Sequence, residues 1–169
     1  FTGWKVGWHL GRPELVTAVQ KVHQWVTFCS PAPFQLAIAK GLELPDSYFQ
    51  GFLESYSNKR AFLGAALTDA GFEVLPCEGT YFLMARTDRH RRAGEDDVAF
   101  CRRLLIDHKV ASIPTSGFHC PEHAQHVQGL ARFAFCKTEA ALRAAARSMP
   151  LPRRDIATAA VPKSAAAMV

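Results

Sequence analysis

The sequence has no apolar run approaching the roughly eighteen residues that a membrane-spanning helix needs. Its opening residues also lack the charged, apolar and small-residue series of a secretory signal. The five cysteines are an odd number and form no C-x-x-C pair: Cys29, Cys77, Cys101, Cys120 and Cys136. These absences exclude a disulfide scaffold and predict a soluble, cytoplasmic protein with reduced thiols and no membrane partner.

A metal centre is also not predicted. One stretch, FHCPEHAQH, places three histidines and one cysteine close together: His119, Cys120, His123 and His126. It follows Gly117 and contains Pro121, and no second cluster of this kind occurs elsewhere in the chain. A zinc site needs four ligands held by a defined framework, so we interpret this stretch as a polar loop.

The positive charge is confined to two segments. The formal net charge is +5, of which +3 lies in RTDRHRR (86–92) and +2 in the segment from Pro150 to the end. The rest of the chain is neutral, so no structured basic stripe is available to follow a phosphate backbone. We therefore predict solvated charge and no nucleic-acid partner.

The first part of the chain predicts helices. Leu15, Val19 and Val22 recur at helical spacing in an amphipathic helix over 13–26, and 34–44 indicates a short buried helix after two prolines. A long helix is predicted from an Asp or Ser cap near Asp46 to Gly71.

From Phe72 the pattern changes to strand, strand, helix, strand, strand, helix. The strands are predicted in FEVLP, TYFLMAR, VASIP and ARFAFC, and the helices over 95–108 and 138–149. This order predicts an α/β unit in which helices cover one face of a sheet. The segment 150–169 contains prolines and alanines without an apolar period and is predicted to be a flexible tail.

The stretch TGWKVGW at residues 2–8 raises a separate question. Interpreted as a strand, it places Thr2, Trp4 and Val6 on one face, while Lys5 stands between two glycines on the other. A lone ammonium group beside glycines can receive an anion, because glycine allows a ligand to approach the backbone. The alternative is a solvated lysine on an edge strand.

Three segments in order, TGWKVGW, LPCEGTYFLM (75–84) and ARFAFCKTEAALRAAA (131–146), resemble the C-terminal portion of a fold-type-I pyridoxal-phosphate aminotransferase. KVHQWVTF, PCEGTYFL and RFAFCKTEAAL resemble the class I/II branch that contains the methionine and kynurenine aminotransferases. The resemblance covers residues 1–149 and less than half of a typical member. It implies that 1–45 end the large cofactor-binding domain and that 46–149 form a linking helix and the small α/β domain.

The resemblance also implies roles for six residues. Lys5 matches the lysine that reaches the phosphate of the cofactor, and Arg132 matches the arginine that grips the substrate α-carboxylate. Gly79 and Tyr81 match positions near the substrate side chain. Phe28 matches an aromatic residue that is lent across a dimer, and Phe118 matches an aromatic residue near the substrate. Gly117 replaces a larger apolar residue that is common before Phe118.

The resemblance places the lysine that forms the Schiff base upstream of Phe1, so no catalytic residue is assigned. Lys21, Lys40 and Lys59 lie on predicted helices and are not substitutes. We expect a homodimer that transaminates methionine or an aromatic amino acid to its 2-oxo acid with pyridoxal 5'-phosphate, and a chain that is inactive alone. Two alternatives are a carbon–sulfur β-lyase on the same fold, and a truncated fragment or interaction module without cofactor.

Overall fold

The computed structural model describes Phe1 and residues 3–152. The chain divides into two compact units, Phe1–Phe52 and a second that begins at Leu53. Most of the predicted tail, 153–169, lies outside the described residues, and the predicted domain boundaries stay predictions. No helix among the described residues is both long and apolar enough to cross a membrane.

The first unit contains two complete helices, α1 (Pro13–Val26) and α2 (Ala32–Leu42). The α1 helix has the predicted bounds, whereas α2 begins and ends two residues before the predicted 34–44, because Pro33 is accepted in its first turn. Each has a proline in its first turn, where the missing N–H is not needed. The prediction that the second helix is buried is wrong, because α2 buries only Ile38. The α1 helix buries no residue, so its apolar side chains face outward.

The predicted strand over TGWKVGW is also wrong. No strand is present from Gly3 to Trp8, and both Gly3 (φ 94°) and Lys5 (φ 55°) have left-handed backbone. The Trp4 N–H donates to the Phe1 carbonyl at 3.2 Å, and the Trp4 ring meets the Phe34 ring of α2 edge-on. A strand persists only when a neighbour satisfies its backbone groups, and no described strand pairs with this segment.

The long helix α3 (Asp46–Asp69) is confirmed. Gly71 follows the end of this helix with a φ of 87°, which suits glycine, and the Phe72 N–H donates to the Leu67 carbonyl at 2.9 Å. A Cβ atom at Gly71 would also collide with the ring of Pro152, which lies 2.7 Å away. Glycine is therefore required here both by backbone conformation and by close approach.

The second unit is built on a four-stranded antiparallel sheet of order β1-β2-β4-β3. Its strands are β1 (Glu73–Val74), β2 (Phe82–Arg86), β3 (Ile113–Pro114) and β4 (Leu130–Ala134). The remaining helices are α4 (Asp97–His108), α5 (Pro121–Ala124) and α6 (Glu139–Ser148), with a 3₁₀ turn at Ser116–Phe118. The predicted α/β class is confirmed, whereas the 3₁₀ turn and α5 were not predicted.

Side chains that cap two helices explain where these begin. The Asp96 carboxylate accepts from the Ala99 N–H at 2.7 Å and the Thr138 hydroxyl from the Ala141 N–H at 3.2 Å. Each cap satisfies a backbone donor that the first helical turn leaves without a partner. The helix starts that the sequence indicated are therefore fixed by local chemistry.

One face of the sheet forms the core of the second unit. Leu83, Ala85, Ala131 and Phe133 alternate along β2 and β4, and each is at most 3% exposed. They join a buried cluster contributed largely by the helices: Leu63, Leu67, Ala70, Phe72, Phe100, Cys101, Leu104, Val110, Phe135 and Leu142. The residues that alternate with them on the opposite face, Phe82, Met84 and Arg132, are only partly buried, so this face is available for a site.

A polar network lies beside the core. The Arg103 guanidinium bonds both carboxylate oxygens of Glu95, at 2.7 and 2.8 Å, and donates to the His90 carbonyl at 2.9 Å. These hydrogen bonds hold the pKa of Glu95 below its ordinary value. The His90 ring is buried, stacks on Phe72 at 3.8 Å, and its Nε2 lies 2.9 Å from the Ala70 carbonyl oxygen.

Because His90 is buried, we expect the free energy of unfolding to depend on pH. Burial lowers the pKa of His90 from its ordinary value of 6.5, so the unfolded chain binds this proton more tightly than the folded chain. The free energy of unfolding is therefore expected to fall as pH decreases below about 6.5, through the lowered folded pKa. Urea unfolding between about pH 5.5 and 8 measures this slope.

His90→Gln is expected to flatten that slope, because glutamine has no proton to gain and can still donate to the Ala70 carbonyl. His123→Gln is the matched control, since His123 is exposed and should leave the slope unchanged. Equal slopes in the wild type and His90→Gln would show that another group is responsible.

Candidate substrate-carboxylate site

The open face of the sheet carries Arg132 at its centre. Arg132 lies on β4, directly opposite Met84 of β2 on one side and Ile113 of β3 on the other. Its neighbours in sequence, Ala131 and Phe133, point into the core, so strand alternation directs Arg132 to the uncovered face. Because β4 is paired on both sides, the backbone that carries the Arg132 side chain is held in place by the sheet.

Two aromatic rings lie against the Arg132 guanidinium. Its Cζ atom lies over the Phe82 ring at 4.3 Å from the centroid and over the Phe118 ring at 4.6 Å. Phe82 reaches it as a diagonal neighbour across β2 and β4, and Phe118 comes from the 3₁₀ turn. We call Arg132, Phe82 and Phe118 the aromatic clamp.

The guanidinium N–H groups of Arg132 are available to a ligand. Within residues 3–152, no side chain or carbonyl accepts a hydrogen bond from the Arg132 guanidinium, and no carboxylate pairs with it. The ring faces attract the cation but provide no conventional acceptor. A half-buried guanidinium with free donors can bind a carboxylate through two parallel hydrogen bonds.

Phe82 is the functional candidate that sequence reasoning did not single out. Its signal was present in the alternation of TYFLMAR, which puts Phe82 and Met84 on the same face. The missing information was the register, because only the pairing of Met84 with Arg132 makes Phe82 a neighbour of the guanidinium.

The turn that carries Phe118 is anchored by two buried polar side chains. The Asp97 carboxylate, 1% exposed, accepts from the Ser116 N–H at 2.7 Å. The Thr115 hydroxyl lies 2.6 Å from the Val127 carbonyl oxygen and 3.2 Å from that of Leu130. At Gly117 an added Cβ would meet nothing within 4 Å, so the glycine does not restrict the space of this turn.

Gly79 and Tyr81 lie in the loop that precedes β2. The Cys77 thiol donates to the Gly79 carbonyl at 3.0 Å, and Arg60 of α3 donates to the Cys77 carbonyl at 2.9 Å. The Phe135 N–H donates to the Tyr81 carbonyl at 2.9 Å, which ties this loop to the end of β4. Thr80 has φ 64°, a left-handed conformation that is rare for a β-branched residue.

The Tyr81 ring is about half exposed, at 51%, and contacts the Phe82 ring edge-on at 5.5 Å. The structure therefore brings Tyr81 next to a member of the aromatic clamp. Gly79 is exposed on the same loop. Four of the six predicted site residues, Arg132, Phe118, Tyr81 and Gly79, lie in the second unit.

Lys5 and Phe28 lie in the first unit. Lys5 is exposed, and no acceptor or carboxylate in the described part of the chain pairs with its ammonium group. Phe28 follows the end of α1 with φ 70°, its N–H donates to the His23 carbonyl at 3.1 Å, and its ring is 80% exposed. An exposed aromatic residue in a left-handed conformation is uncommon and gains little from packing here.

No metal site accompanies these residues. Across Phe1 and 3–152, no three His, Cys, Asp or Glu side chains are arranged to hold a metal ion.

The family model for aminotransferase class I and II matches residues 1–149 of the chain. The chain belongs to the class I and II aminotransferase family. The segments that the sequence analysis identified by resemblance, from TGWKVGW to the helix after β4, all lie within the matched range.

Individual aminotransferases show the same relationship. The methionine aminotransferase of Escherichia coli is 40% identical over 148 residues, which is 88% of this chain and 37% of that protein. The kynurenine–oxoglutarate transaminase of Dictyostelium discoideum is 35% identical over an alignment of 160 positions that covers 85% of this chain and 37% of that protein.

Solved aminotransferases share the fold. The N-succinyldiaminopimelate aminotransferase of Mycobacterium tuberculosis matches with a TM-score of 0.75 and 38% identity, over 87% of this chain and 37% of that chain. The chain thus spans a little over a third of the length of the relatives it matches. Its mixed helix and sheet architecture is that of fold-type-I aminotransferases.

Proposed function

We propose that this chain provides the substrate-carboxylate clamp and one cofactor-phosphate anchor of an aminotransferase that converts methionine or an aromatic amino acid to its 2-oxo acid. The observation that carries the proposal is the Arg132 guanidinium, which lies over two aromatic rings while its N–H donors have no described acceptor. Membership of the aminotransferase family supports it.

A carboxylate is the ligand that suits Arg132. Guanidinium presents its donors in a fixed plane that matches the two oxygens of a carboxylate, whereas an ammonium group acts as a point charge. Holding the α-carboxylate firmly fixes the adjacent carbon, from which a proton must leave. Positioning of this kind contributes strongly to catalysis because it removes translational and rotational freedom before the reaction.

The surroundings of the clamp favour an apolar or aromatic substrate side chain. Phe118 is 61% exposed and Tyr81 51% exposed, and both belong to or adjoin the clamp. Aromatic rings near a fixed carboxylate would bind a thioether or a ring by apolar and sulfur–aromatic contacts. Relatives that are methionine and kynurenine aminotransferases are consistent with this substrate class.

The residues of the first unit fit a phosphate group. The Lys5 ammonium has no described partner, and added Cβ atoms at Gly3 and Gly7 meet nothing within 4 Å, so the backbone around it is accessible. An ammonium group is a suitable donor to the phosphate of pyridoxal 5'-phosphate. That cofactor, when bound, supplies an electron sink for the substrate α-carbon. Lys5 would hold the phosphate and take no part in proton transfer.

The proposal assigns no Schiff-base lysine to this chain. No lysine within the described residues is buried, and several amines are engaged elsewhere: Lys40 with Glu43, Lys59 over the Tyr56 ring, and Lys109 with the Ile106 carbonyl. We infer that the 169-residue chain by itself does not catalyse transamination. The homodimeric state, a contribution of Phe28 to a neighbouring subunit and a cytoplasmic location are part of the same proposal.

The reaction is tested with a complete aminotransferase that carries this segment. Formation of a 2-oxo acid from methionine with amino transfer to a second 2-oxo acid is the expected result. Release of pyruvate from cystathionine without amino transfer would instead indicate a carbon–sulfur β-lyase. Amino transfer by the isolated 169-residue chain, with a lysine that borohydride reduces onto the cofactor, would contradict the assignment of lysines made here.

The phosphate anchor gives a prediction of its own. Lys5→Gln is expected to weaken binding of pyridoxal 5'-phosphate about tenfold, because one charge-assisted hydrogen bond to the phosphate is lost. Cofactor titration of the complete enzyme measures this change, and Lys21→Gln, an exposed lysine of α1, is the matched control. Equal dissociation constants for Lys5→Gln and wild type would remove Lys5 from the site.

A further inference from the structure

We propose that Asp97 is a positioning residue for the substrate-carboxylate site: its buried carboxylate holds the 3₁₀ turn that keeps the Phe118 ring on the Arg132 guanidinium. This inference rests on the proposed function of Arg132. It assigns a role in substrate binding to an acidic residue of α4 that does not touch the clamp itself.

Two contacts connect Asp97 to the aromatic clamp: its hydrogen bond to the 3₁₀ turn, and the contact of Phe118 in that turn with Arg132. Its carboxylate accepts from the Ser116 N–H at 2.7 Å, and Ser116 begins the 3₁₀ turn that ends at Phe118. The turn closes with the Phe118 N–H donating to the Thr115 carbonyl at 3.1 Å. The Phe118 ring then lies 4.6 Å from the Arg132 Cζ.

The burial of Asp97 shows that this bond is a firm one. Asp97 is 1% exposed and Thr115 is 3% exposed, whereas Gly117 and Phe118 are exposed. The base of the turn is thus fixed from within the domain while its tip is free to meet a ligand. A buried carboxylate that accepts a hydrogen bond from a backbone N–H makes a stronger bond than a neutral acceptor would.

The orientation of Arg132 depends on the rings that contact it. Arginine has several rotatable bonds, and within the described residues its guanidinium has ring contacts but no hydrogen-bond acceptor to fix it. Removing the Phe118 contact leaves Phe82 alone to orient the donors. Two parallel hydrogen bonds to a carboxylate require an oriented plane, so a mobile guanidinium binds more weakly.

Helix capping is the competing explanation for an acidic residue at this place. Asp97 is the first residue of α4, where a negative charge also favours the helix. Its neighbour Asp96 performs the capping: it is exposed and accepts from the Ala99 N–H at 2.7 Å. Asp96 therefore stabilises the start of α4, whereas Asp97 holds the 3₁₀ turn.

The experiment compares Asp97→Ala, Asp97→Asn and Asp96→Ala in the 169-residue chain labelled with ¹⁵N. The Arg132 Nε–H resonance is expected to be shifted by the two rings in the wild type and to move further when sodium propionate is added at constant ionic strength. In Asp97→Ala the ring shift is expected to decrease and the propionate dissociation constant to rise about tenfold. Asp97→Asn retains an acceptor oxygen and should restore part of both.

Asp96→Ala is expected to lower Tm by about 5 °C and to leave the ring shift and the propionate affinity as in the wild type. If Asp97→Ala matches Asp96→Ala in both spectroscopic readouts, Asp97 is only a structural residue and the inference is wrong. If the wild-type Arg132 resonance shows the ring shift but no response to propionate, the carboxylate assignment of Arg132 fails instead. An Arg132 resonance without any ring shift in the wild type overturns the clamp on which both depend.

Discussion

Replacing Arg132 with lysine is expected to reduce kcat/KM for the amino-acid substrate by on the order of 100-fold in a complete aminotransferase that carries this segment. Lysine keeps the charge but loses the planar pair of donors and the flat surface that lies over Phe82 and Phe118. Steady-state kinetics with methionine and with an aromatic amino acid measure the loss. Arg132→Lys should leave the free energy of unfolding nearly unchanged, because the side chain contributes no described hydrogen bond or ion pair.

Arg86→Lys is the matched control for this prediction. Arg86 lies on the same face of the same sheet, on β2, but it is exposed and already paired with Glu73 at 3.3 Å. Its replacement should change kcat/KM by less than about threefold, since exposed ion pairs contribute little. Full activity of Arg132→Lys, within that same range, would show that the carboxylate is held elsewhere.

Replacing Phe133, the next residue of β4, is expected to change the stability of the fold and not the binding of substrate. Phe133→Ala should lower the free energy of unfolding by about 3–5 kcal/mol, because it removes a 2%-exposed ring and leaves a cavity in the core. The ring packs edge-on against Phe72 at 5.6 Å, so part of an aromatic contact is lost as well. Urea unfolding of the 169-residue chain measures the change.

Phe118→Ala is the matched control, because it also removes a phenyl ring, but an exposed one. Its ring is 61% exposed, so unfolding should change by less than about 1 kcal/mol while carboxylate affinity falls. If Phe133→Ala proved no more destabilising than Phe118→Ala, the sheet face that contains Phe133 would not be the core of this unit. The pair therefore tests the division of the sheet into a buried and a functional face.

The helices were largely predictable because their signals are local. Pro13 in the first turn of α1, the Asp96 and Thr138 caps and the glycine after α3 each act within a few residues of the chain. The strands β2 and β4 were predictable from their alternation and from β-branched or aromatic content. The 3₁₀ turn was missed, since three residues carry no period that a sequence pattern can show.

The segment TGWKVGW shows where such patterns mislead. Alternation of large and small residues indicated a strand, but alternation stabilises a strand only when a neighbouring strand completes its hydrogen bonds. The described part of the first unit has no such neighbour, and glycine at position 3 permits a left-handed turn instead. The role of Lys5 in holding phosphate does not require the strand and stays a prediction.

The sequence alone determined the α/β class and most helix ends, because caps and periodicity act between near neighbours in the chain. Arg132 was chosen through the resemblance of its segment to the aminotransferases, and its role stays a prediction. Only the tertiary structure decided which side chains surround that arginine. Register across β2 and β4 brings Phe82 to it, and a carboxylate nineteen residues before Ser116 fixes the turn that brings Phe118. Contacts between residues distant in sequence depend on how the strands and helices pack, which no local pattern specifies.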